Sequence, residues 1–353
     1  MTTIKRVLLI VNRTAGTGRD GRVADRLRAI LADSLGERVS VEVALVNDHP
    51  TARTCANDFL NASVAPAAII VGGGGGTLRA CIEGVCDGSE VGRLPDARRV
   101  RLGALRLGSG NVLAKQLGVP KDVEAGLRGI VANMRADRTV PCCIMRCEVG
   151  TRMGEPEIRY AATLGGFGQF GRTSGDLARW HGRWPTPRKL TARLFGIEKV
   201  NHVEYATALL IRSISCALFP RSVETVEVHA HGRKRVMRLL SGVAMNFPFD
   251  ALPFSPGVEA GDEALSLHLI PLDGRLWPLL QVLAPRRIAR RAQEIRIGKR
   301  QRVEIRFVDP DCVEFFLDED PTIAHRRLTL EVAGSLAFVP GPDYSFAKGR
   351  FTV

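Results

Sequence analysis

Long apolar runs are missing from this chain of 353 residues, and that absence argues against a helix that crosses a membrane. A spanning helix needs about 20 mostly apolar residues, whereas the apolar stretches here are short and interrupted by charge. The first residues, MTTIKRVLLIVN, hold an apolar run of only a few residues that leads directly into a polar loop. They predict a first strand and not a signal peptide, so we expect a soluble, cytoplasmic protein.

Paired metal-ligand spacings are also missing. None of the eight cysteines forms a Cys-x-x-Cys pair, and no histidines stand at zinc-finger spacing. The densest group, Cys142, Cys143 and Cys147, has no identifiable fourth ligand. We therefore expect reduced, buried thiols that behave as small apolar side chains.

Two nucleotide-binding motifs are absent or weak. No Gly-x4-Gly-Lys-Ser/Thr sequence occurs, which argues against an ordinary P-loop NTPase. The stretch from Gly16 to Gly21 fits the dinucleotide pattern Gly-x-Gly-x-x-Gly, but Asn12 to Ala15 separate it from the preceding strand. A lone match of this kind gives a dehydrogenase little support. No nucleic-acid motif or interleaved aromatic pattern occurs, so no nucleic acid is expected as a partner.

The most informative stretch that is present joins a strand, a glycine run and a helix. Ile69 to Val71 predict a buried strand, Gly72 to Gly76 predict a turn without side chains, and Leu78 to Val85 carry apolar residues at helical spacing. Glycines let a ligand approach the backbone, and the first N–H groups of a helix lack intrahelical partners. A phosphate fits such a site, where Thr77 is expected to cap the helix and donate its hydroxyl.

Two further strand-loop-helix units repeat this arrangement. Val7 to Val11 lead into a polar loop that begins at Asn12, and Val100 to Leu107 lead into Gly108 to Asn111. Open parallel sheets bind ligands where such loops follow the strands, so the three loops predict a nucleotide cleft. Its predicted nucleotide-contacting residues are Asn12, Gly16, Gly73, Gly74, Gly75, Gly76, Thr77, Gly108, Ser109, Gly110 and Asn111.

The three loops, taken in order, resemble those of one known family. Asn12 to Gly16 (NRTAG) is similar to an Asn-Pro-x-Ser/Ala-Gly loop, and Gly73 to Thr77 stands where that family has Gly-Gly-Asp-Gly-Thr. Leu107 to Pro120 (LGSGNVLAKQLGVP) resembles its Leu-Gly-Thr-Gly-Asn-Asp-Phe-Ala…Leu-Gly-Ile-Pro. The chain thus resembles the diacylglycerol kinase catalytic family, which includes sphingosine and ceramide kinases. The resemblance implies ATP, Mg²⁺ and a lipid substrate; NAD kinases, which share the glycine loop, stay an alternative.

The order of predicted elements indicates two domains. Residues 1–136 alternate strand and helix, which favours a three-layer, Rossmann-like parallel sheet with right-handed crossovers. Residues 137–334 contain short strands, among them Ile158 to Leu164, which suggest an antiparallel β-sandwich with a helical insertion near 187–219. The family resemblance implies that the second domain holds the lipid and that residues 335–353 return to the first domain.

The catalytic carboxylates are implied by the resemblance. The family has a late Asp-Gly-Glu, and Asp318 occupies the position of its Asp, which would accept the proton of the lipid hydroxyl. Asp320 stands for the Glu with one methylene fewer, and the alternative for both residues is a charged β-turn. Asp262 matches an Asp that precedes a strand in the family and is the candidate metal ligand.

Two departures from the family pattern bear on activity. Gly75 replaces the Asp of the glycine loop, and Val112 replaces the Asp that follows Gly-x-Gly-Asn. Loss of such a carboxylate removes a metal ligand or an acceptor near it. We expect an ATP-dependent lipid kinase acting on a diacylglycerol-like or sphingoid lipid; the alternative is a relative that binds nucleotide or lipid without turnover. Glu83 either compensates in part or is structural.

The formal net charge of +13 favours acidic partners. The densest basic run lies between Arg286 and Arg302. Within it, Arg287, Arg290, Arg291 and Glu294 are predicted to share a helical face beside the apolar residues Leu279, Leu280 and Leu283. This pattern predicts either a solvated basic face or peripheral contact with an anionic inner membrane face. The predicted contact residues are Arg286, Arg287, Arg290 and Arg291, and a homodimer is compatible with the sequence.

Overall fold

The computed structural model of this protein describes residues 4–16, 21–63, 66–87, 94, 99–108, 111–183, 197–219, 223–247, 257–259, 261–318 and 320–346. The chain divides into two compact units. The first unit comprises Met1–Ile144, Ala260–Glu263 and Ala333–Val353, and the second comprises Met145–Glu259 and Ala264–Val332.

The first unit is built on a parallel sheet. In chain order its elements are β1 (Arg6–Asn12), α1 (Gly21–Leu35), β2 (Ser40–Val46), α2 (His49–Asn61), β3 (Ala67–Gly73), α3 (Gly75–Asp87), β4 (Val100–Arg106), α4 (Val112–Gln116) and α5 (Val123–Arg135). The strands lie in the order β2-β1-β3-β4. Ala337 and Phe338 then pair in parallel with Arg101 and Leu102 of β4.

The composition of the strands explains which of them are central. All seven residues of β3 are buried, as expected for an Ala-, Ile- and Val-rich strand covered on both faces. β2 lies at the edge of the sheet and is largely exposed or half-buried. Two helices begin at aspartate caps: the Asp48 side chain accepts a hydrogen bond from the Thr51 N–H, and Asp122 accepts from Glu124 and Ala125.

The strands β1, β3 and β4 run parallel to one another. Because they are parallel, the loops that follow them lie at the same edge of the sheet.

The second unit is predominantly antiparallel. Its elements, with the two strands that continue from or into the first unit, are β5 (Val140–Val149), β6 (Glu157–Ala161), β7 (Leu164–Gly168), α6 (Gln169–Arg183), α7 (Ile197–Leu218), β8 (Glu224–Ala230), β9 (Arg233–Met245), β10 (Ala264–Pro271), α8 (Trp277–Leu283), α9 (Pro285–Ala289), β11 (Gln293–Gly298), β12 (Arg302–Asp309), β13 (Cys312–Leu317), β14 (Asp320–His325) and β15 (Arg327–Phe338). The strands follow the order β14-β13-β7-β9-β8-β12-β15. The long strand β9 pairs with β8 along its first half and with β7 and β10 along its second.

The predicted fold class, a parallel α/β part followed by an antiparallel β part, is confirmed by these pairings. The single strand predicted from Ile158 to Leu164 is wrong, because the chain turns at Ala162 and Thr163 between β6 and β7. Helix α6 was not anticipated. Helix α7 falls within the predicted helical insertion, whose residues 187–196 lie outside the described residues.

The predicted helical face of the basic run is also wrong. The helix α9 ends at Ala289, and Glu294 lies on strand β11, where it pairs opposite His268 of β10. The Glu294 carboxylate accepts hydrogen bonds from the Ser266 hydroxyl and from the Gly257 N–H, and both bonds lower its pKa against the effect of burial. Pairing with β10 thus makes the segment around Glu294 a strand, although its periodicity alone predicts a helix.

The cysteines are all free thiols. Six are buried, Cys55 is half-buried and Cys312 is exposed. Burial raises the pKa of the Cys81, Cys86 and Cys142 thiols, which keeps them protonated and unreactive. The expectation of buried thiols therefore holds for six of the eight cysteines, is met only in part by Cys55 and is wrong for Cys312.

Glycine is required where α3 packs against α2, and this generates a prediction. A Cβ on Gly84 would overlap the Arg53 carbonyl oxygen, whereas a Cβ on Gly76 of the same helix would meet nothing within 4 Å. Gly84→Ala should lower the free energy of unfolding by about 2 kcal/mol, since overpacking displaces the helix. Gly76→Ala, the matched control, should leave it unchanged or raise it by about 0.5 kcal/mol. Urea denaturation measures both, and equal stabilities would contradict the packing argument.

Candidate functional site

Three loops at the carboxyl edge of the parallel sheet contact each other through their backbones. The Gly108 N–H donates a hydrogen bond to the Gly73 carbonyl oxygen at 3.0 Å. A Cβ on Gly16 would overlap the Leu107 carbonyl oxygen, and a Cβ on Gly108 would overlap Gly74. Gly16 also has a φ of +42°, a conformation that favours glycine. The structure thus brings predicted residues of each loop together, namely Gly16, Gly73, Gly74 and Gly108.

Asn12 links the first loop to the second through its side-chain amide. Its Nδ2 donates to the Thr77 Oγ1 at 2.8 Å. Its Oδ1 accepts from the Thr14 N–H at 2.8 Å and from the Thr14 hydroxyl at 2.7 Å. Asn12 therefore holds the end of β1 against the first turn of α3.

The glycine run is not the five-residue turn that its composition predicts. Gly72 and Gly73 belong to β3, and α3 begins at Gly75. None of the five adopts a positive φ. Packing explains their composition instead, because a Cβ on Gly72 would overlap the Leu107 side chain and one on Gly73 would come within 2.6 Å of Thr77.

The expected capping role of Thr77 is also wrong. The helix begins two residues earlier, so Thr77 lies within the first turn of α3 and its hydroxyl is bonded by Asn12. The first hydrogen bond of the helix runs from the Leu78 N–H to the Gly74 carbonyl oxygen at 3.1 Å. The N–H groups of Gly75, Gly76 and Thr77 precede it and are available to an anion.

The third loop ends in a strained residue. Asn111 has a φ of 52°, which is uncommon for a residue other than glycine, and its side-chain amide donates to the Gly108 carbonyl oxygen. It stands at the start of α4 without capping that helix. Ser109 and Gly110, two further predicted contact residues, lie outside the described residues.

The sequences of these three loops carry no carboxylate. No Asp or Glu occurs in Asn12 to Gly16, in Gly72 to Thr77 or in Leu107 to Asn111. Backbone N–H groups, amide side chains, hydroxyls and the exposed Arg13 side chain of the first loop make up the polar surface. Such a site favours an anionic group such as a phosphate, since nothing in the loops repels it.

Glu83 does not supply the missing carboxylate. Its side chain is 3% exposed and lies 3.6 Å from Arg79, 3.6 Å from Arg53 and 3.3 Å from His49. These partners belong to α2 and α3, so the carboxylate is used where the two helices pack. Of the two roles considered from sequence, the geometry favours the structural one.

The Glu83 cluster gives a second prediction. Glu83→Gln removes the negative charge that neutralises the buried Arg79 guanidinium, and it should lower the free energy of unfolding by about 3 kcal/mol. Glu42→Gln, which disrupts the more exposed pair with Arg6, should cost at most about 1 kcal/mol. Nucleotide affinity, measured by calorimetry below the unfolding temperature, should be equal in both variants. A selective loss of affinity in Glu83→Gln would show that this carboxylate serves the ligand.

Asp318, the candidate base, is buried and firmly held. Its carboxylate accepts hydrogen bonds from the Ala162 N–H at 2.8 Å, from the Thr163 N–H at 2.9 Å and from the Thr163 hydroxyl. Its own N–H donates to the Leu164 carbonyl oxygen, and its φ is 46°. This carboxylate therefore stabilises the turn between β6 and β7.

Two residues beside Asp318 were missed by sequence reasoning. Thr163 binds the carboxylate, and the buried Asn246 donates from its Nδ2 to the Ala162 carbonyl oxygen at 2.5 Å. Neither belongs to a motif that could have revealed it, because their partners lie far away in sequence. Together they fix the position of the Asp318 carboxylate from both sides of the turn.

The remaining candidate residues, Asp320 and Asp262, are less deeply buried than Asp318. Asp320 is half-buried and begins β14 opposite Leu317. Asp262 is half-buried and belongs to the first unit. Across the described ranges, no group of three or more His, Cys, Asp or Glu side chains is placed to hold a metal ion. Mg²⁺ usually needs only one or two carboxylates in addition to phosphate oxygens, so single ligands such as Asp262 suit it.

The hydrogen bonds to Asp318 lead to a third prediction. Asn at position 318 tolerates the positive φ, but its NH₂ group would face an N–H donor of the turn. Asp318→Asn should therefore lower the free energy of unfolding by about 1 to 3 kcal/mol. Asp320→Asn is the matched control and should shift the thermal midpoint little. Equal midpoints, measured by differential scanning calorimetry, would contradict a structural role for the Asp318 carboxylate.

Comparison with known proteins gives the family. Residues 6–141 match the family model of the diacylglycerol kinase catalytic domain. Over these residues the chain is similar to the catalytic domains of diacylglycerol kinases. The family predicted from the three loop motifs is thereby confirmed, and all three motifs lie within the matched residues.

Solved structures show a similar fold over nearly the whole chain. A diacylglycerol kinase from Bacillus anthracis str. Sterne has a TM-score of 0.61 at 15% identity, with 97% of this chain and 99% of that chain covered. A second structure from this organism, provisionally described as a diacylglycerol kinase, has a TM-score of 0.64 at 15% identity with the same coverage. No curated protein matches the chain. At such low identity, these structures support the two-part fold alone.

Proposed function

We propose that this protein transfers the γ-phosphoryl group of ATP to the hydroxyl group of a diacylglycerol-like or sphingoid lipid. The backbone contact among the three loops of the first unit carries the proposal. It creates an anion-binding edge within residues that match a kinase catalytic domain. Phosphoryl transfer depends mainly on positioning and on charge stabilisation, which loops of this kind supply.

The nucleotide site of this proposal lies in the first unit, in the domain predicted as residues 1–136. Backbone N–H groups of Gly75 and Gly76 at the start of α3 bind phosphate oxygens, and Asn12 keeps Thr77 in place beside them. Gly73, Gly74 and Gly108 leave room for the ligand to approach the backbone. ATP with Mg²⁺, when bound, supplies the phosphoryl group and neutralises its charge, with Asp262 as the candidate protein ligand.

The lipid site of the proposal lies in the second unit, in the domain predicted as residues 137–334. Asp318 accepts the proton of the lipid hydroxyl, and its bonds to the turn at Ala162 and Thr163 hold the carboxylate in one orientation. Asp320 assists from the start of β14. Residues 335–353 are assigned to the nucleotide domain, with which they share the first compact unit.

A second candidate function is binding of nucleotide or lipid without turnover. It is favoured by the absence of any acid from the three loops and by the engagement of Glu83 with Arg53, Arg79 and His49. A site built this way still holds phosphate but lacks a carboxylate for the metal. The two candidates differ in whether ATP is consumed.

The position of Gly75 gives the fourth prediction and tests the proposed function. Its backbone is already helical and only half-buried, so Asp is accommodated at the start of α3, where a negative charge is favourable. Gly75→Asp should fold as well as the unmodified protein and raise lipid-dependent ATP consumption at least tenfold. Gly76→Asp adds the same charge one residue later, in open space, and should not raise it.

The assay is ADP release with Mg²⁺ and a panel of diacylglycerol, sphingosine, ceramide and phosphatidylglycerol. Lipid-dependent turnover by the unmodified protein supports the kinase. Turnover confined to Gly75→Asp supports the binding protein, since the fold would be intact and only the carboxylate missing. Absence of turnover, of ATP binding and of lipid binding in every variant would overturn both.

A further inference from the structure

Helix α7 in the second unit presents an unusual apolar face to solvent. Val203, Leu210, Ile211, Ile214 and Leu218 recur at helical spacing on one side, and we call them the α7 apolar face. Ile211 is 50% exposed, Ile214 44% and Leu218 68%. One charged residue, Glu204, stands seven residues before Ile211 and so lies at the border of this side of the helix. Isolated exposed apolar residues are ordinary, whereas five on one side of a helix are not.

The opposite side of α7 is what anchors it to the unit. Ala208, Ser213 and Cys216 are buried, and Cys216 packs in a core cluster with Leu240 and Ile288. The helix therefore does not need the α7 apolar face for its own folding. An apolar face left over after the core is complete marks an interaction surface.

The neighbouring helix extends the apolar surface. α7 packs against α8, and α8 packs against α9. Leu276 and Leu283, at the two ends of α8, are exposed by 68% and 74%. Exposed apolar residues thus occur on both helices of this packed pair.

Positively charged side chains lie on α9 and on the turn that follows it. Ile288 anchors α9 in the same core cluster as Cys216, while the arginines on either side of it are exposed. Within the described part of the chain, their side chains form no ion pair or hydrogen bond. These arginines, called the α9 basic cluster, are Arg286, Arg287, Arg290 and Arg291.

We propose that the α7 apolar face inserts into the interfacial layer of an anionic lipid bilayer while the α9 basic cluster binds its headgroups. The inference rests on the proposed function, because a lipid kinase must reach its substrate in a membrane. In this proposal, the α7 apolar face takes the place of the helical basic face that the sequence predicts. This apolar face was not identified from the sequence. No helix in the described part of the chain is long and apolar enough to cross a membrane, so α7 lies along the surface.

Charge favours a bilayer over a second copy of this chain. A symmetric contact through this surface would bring two sets of unpaired arginines toward each other, and such like-charge contact is unfavourable. An anionic bilayer offers the opposite charge beside an apolar interior. Each arginine near such a surface is attracted to its negative charge.

The experiment is co-sedimentation with vesicles of phosphatidylglycerol and phosphatidylcholine, without ATP. The unmodified protein should bind vesicles rich in phosphatidylglycerol and should bind pure phosphatidylcholine far less. Ile211→Ser with Ile214→Ser should weaken binding at least tenfold, because less apolar surface is buried. Arg290→Gln with Arg291→Gln should weaken it by roughly tenfold or more and flatten its salt dependence.

Matched controls use the same substitutions elsewhere. Val236 and Val308, exposed by 61% and 57%, lie on strands of the second unit, and Val236→Ser with Val308→Ser should leave binding unchanged. Arg28→Gln with Arg38→Gln removes two exposed charges from the first unit and should reduce binding less than twofold. Thermal midpoints should agree across all variants, since every replaced side chain is exposed.

Two results would overturn the proposal. One is vesicle binding that the α7 and α9 variants leave unchanged. The other is a concentration-dependent dimer in sedimentation velocity that Ile211→Ser with Ile214→Ser dissociates, which would make the α7 apolar face a self-interface. ATP turnover on a short-chain, water-soluble lipid separates the two proposals. Vesicle binding without any turnover would contradict the proposed kinase activity but would support the proposed membrane-binding surface.

Discussion

The first unit depends on close backbone contact among three loops, which side chains would prevent. Gly16 and Gly108 lie where a Cβ would overlap another loop, and one hydrogen bond, from Gly108 to Gly73, joins the second loop to the third. Parallel β pairing brings the loops to one edge, and the glycines then let them touch. The polar surface that results includes the backbone N–H groups at the start of α3, which suit an anion, and the first loop adds the exposed side chain of Arg13.

Much of this arrangement followed from sequence, because its signals are local. Strands of Val and Ile, glycine-bearing loops and amphipathic helices alternate along the first unit, and the family motifs fall within residues 6–141. What failed also has a physical reason. The sequence predicts that Gly72 and Gly73 are turn residues, but they belong to a strand. Their lack of a side chain allows close packing against Leu107 and Thr77.

The second unit was less predictable because its decisive contacts join residues distant in sequence. Asp318 binds the turn at Ala162 and Thr163, and Glu294 binds Gly257 and Ser266. Helical periodicity suggested a helix where pairing with β10 produces a strand. The buried side of α7 likewise depends on partners from β9 and α9, so its exposed side could be recognised only in the fold.

The hydrogen bonds of Asn12 also determine the direction of the hydroxyl hydrogen of Thr77. The Thr14 N–H can only donate, so the atom of Asn12 that it meets is the carbonyl oxygen and the atom facing Thr77 is the NH₂ group. The Thr77 oxygen therefore accepts from Asn12, and its own hydrogen is directed away from Asn12. A threonine oriented in this way offers a donor to whatever occupies the start of α3. The polarity of a single amide thus leaves the Thr77 hydroxyl able to donate its hydrogen to a ligand that presents an oxygen acceptor.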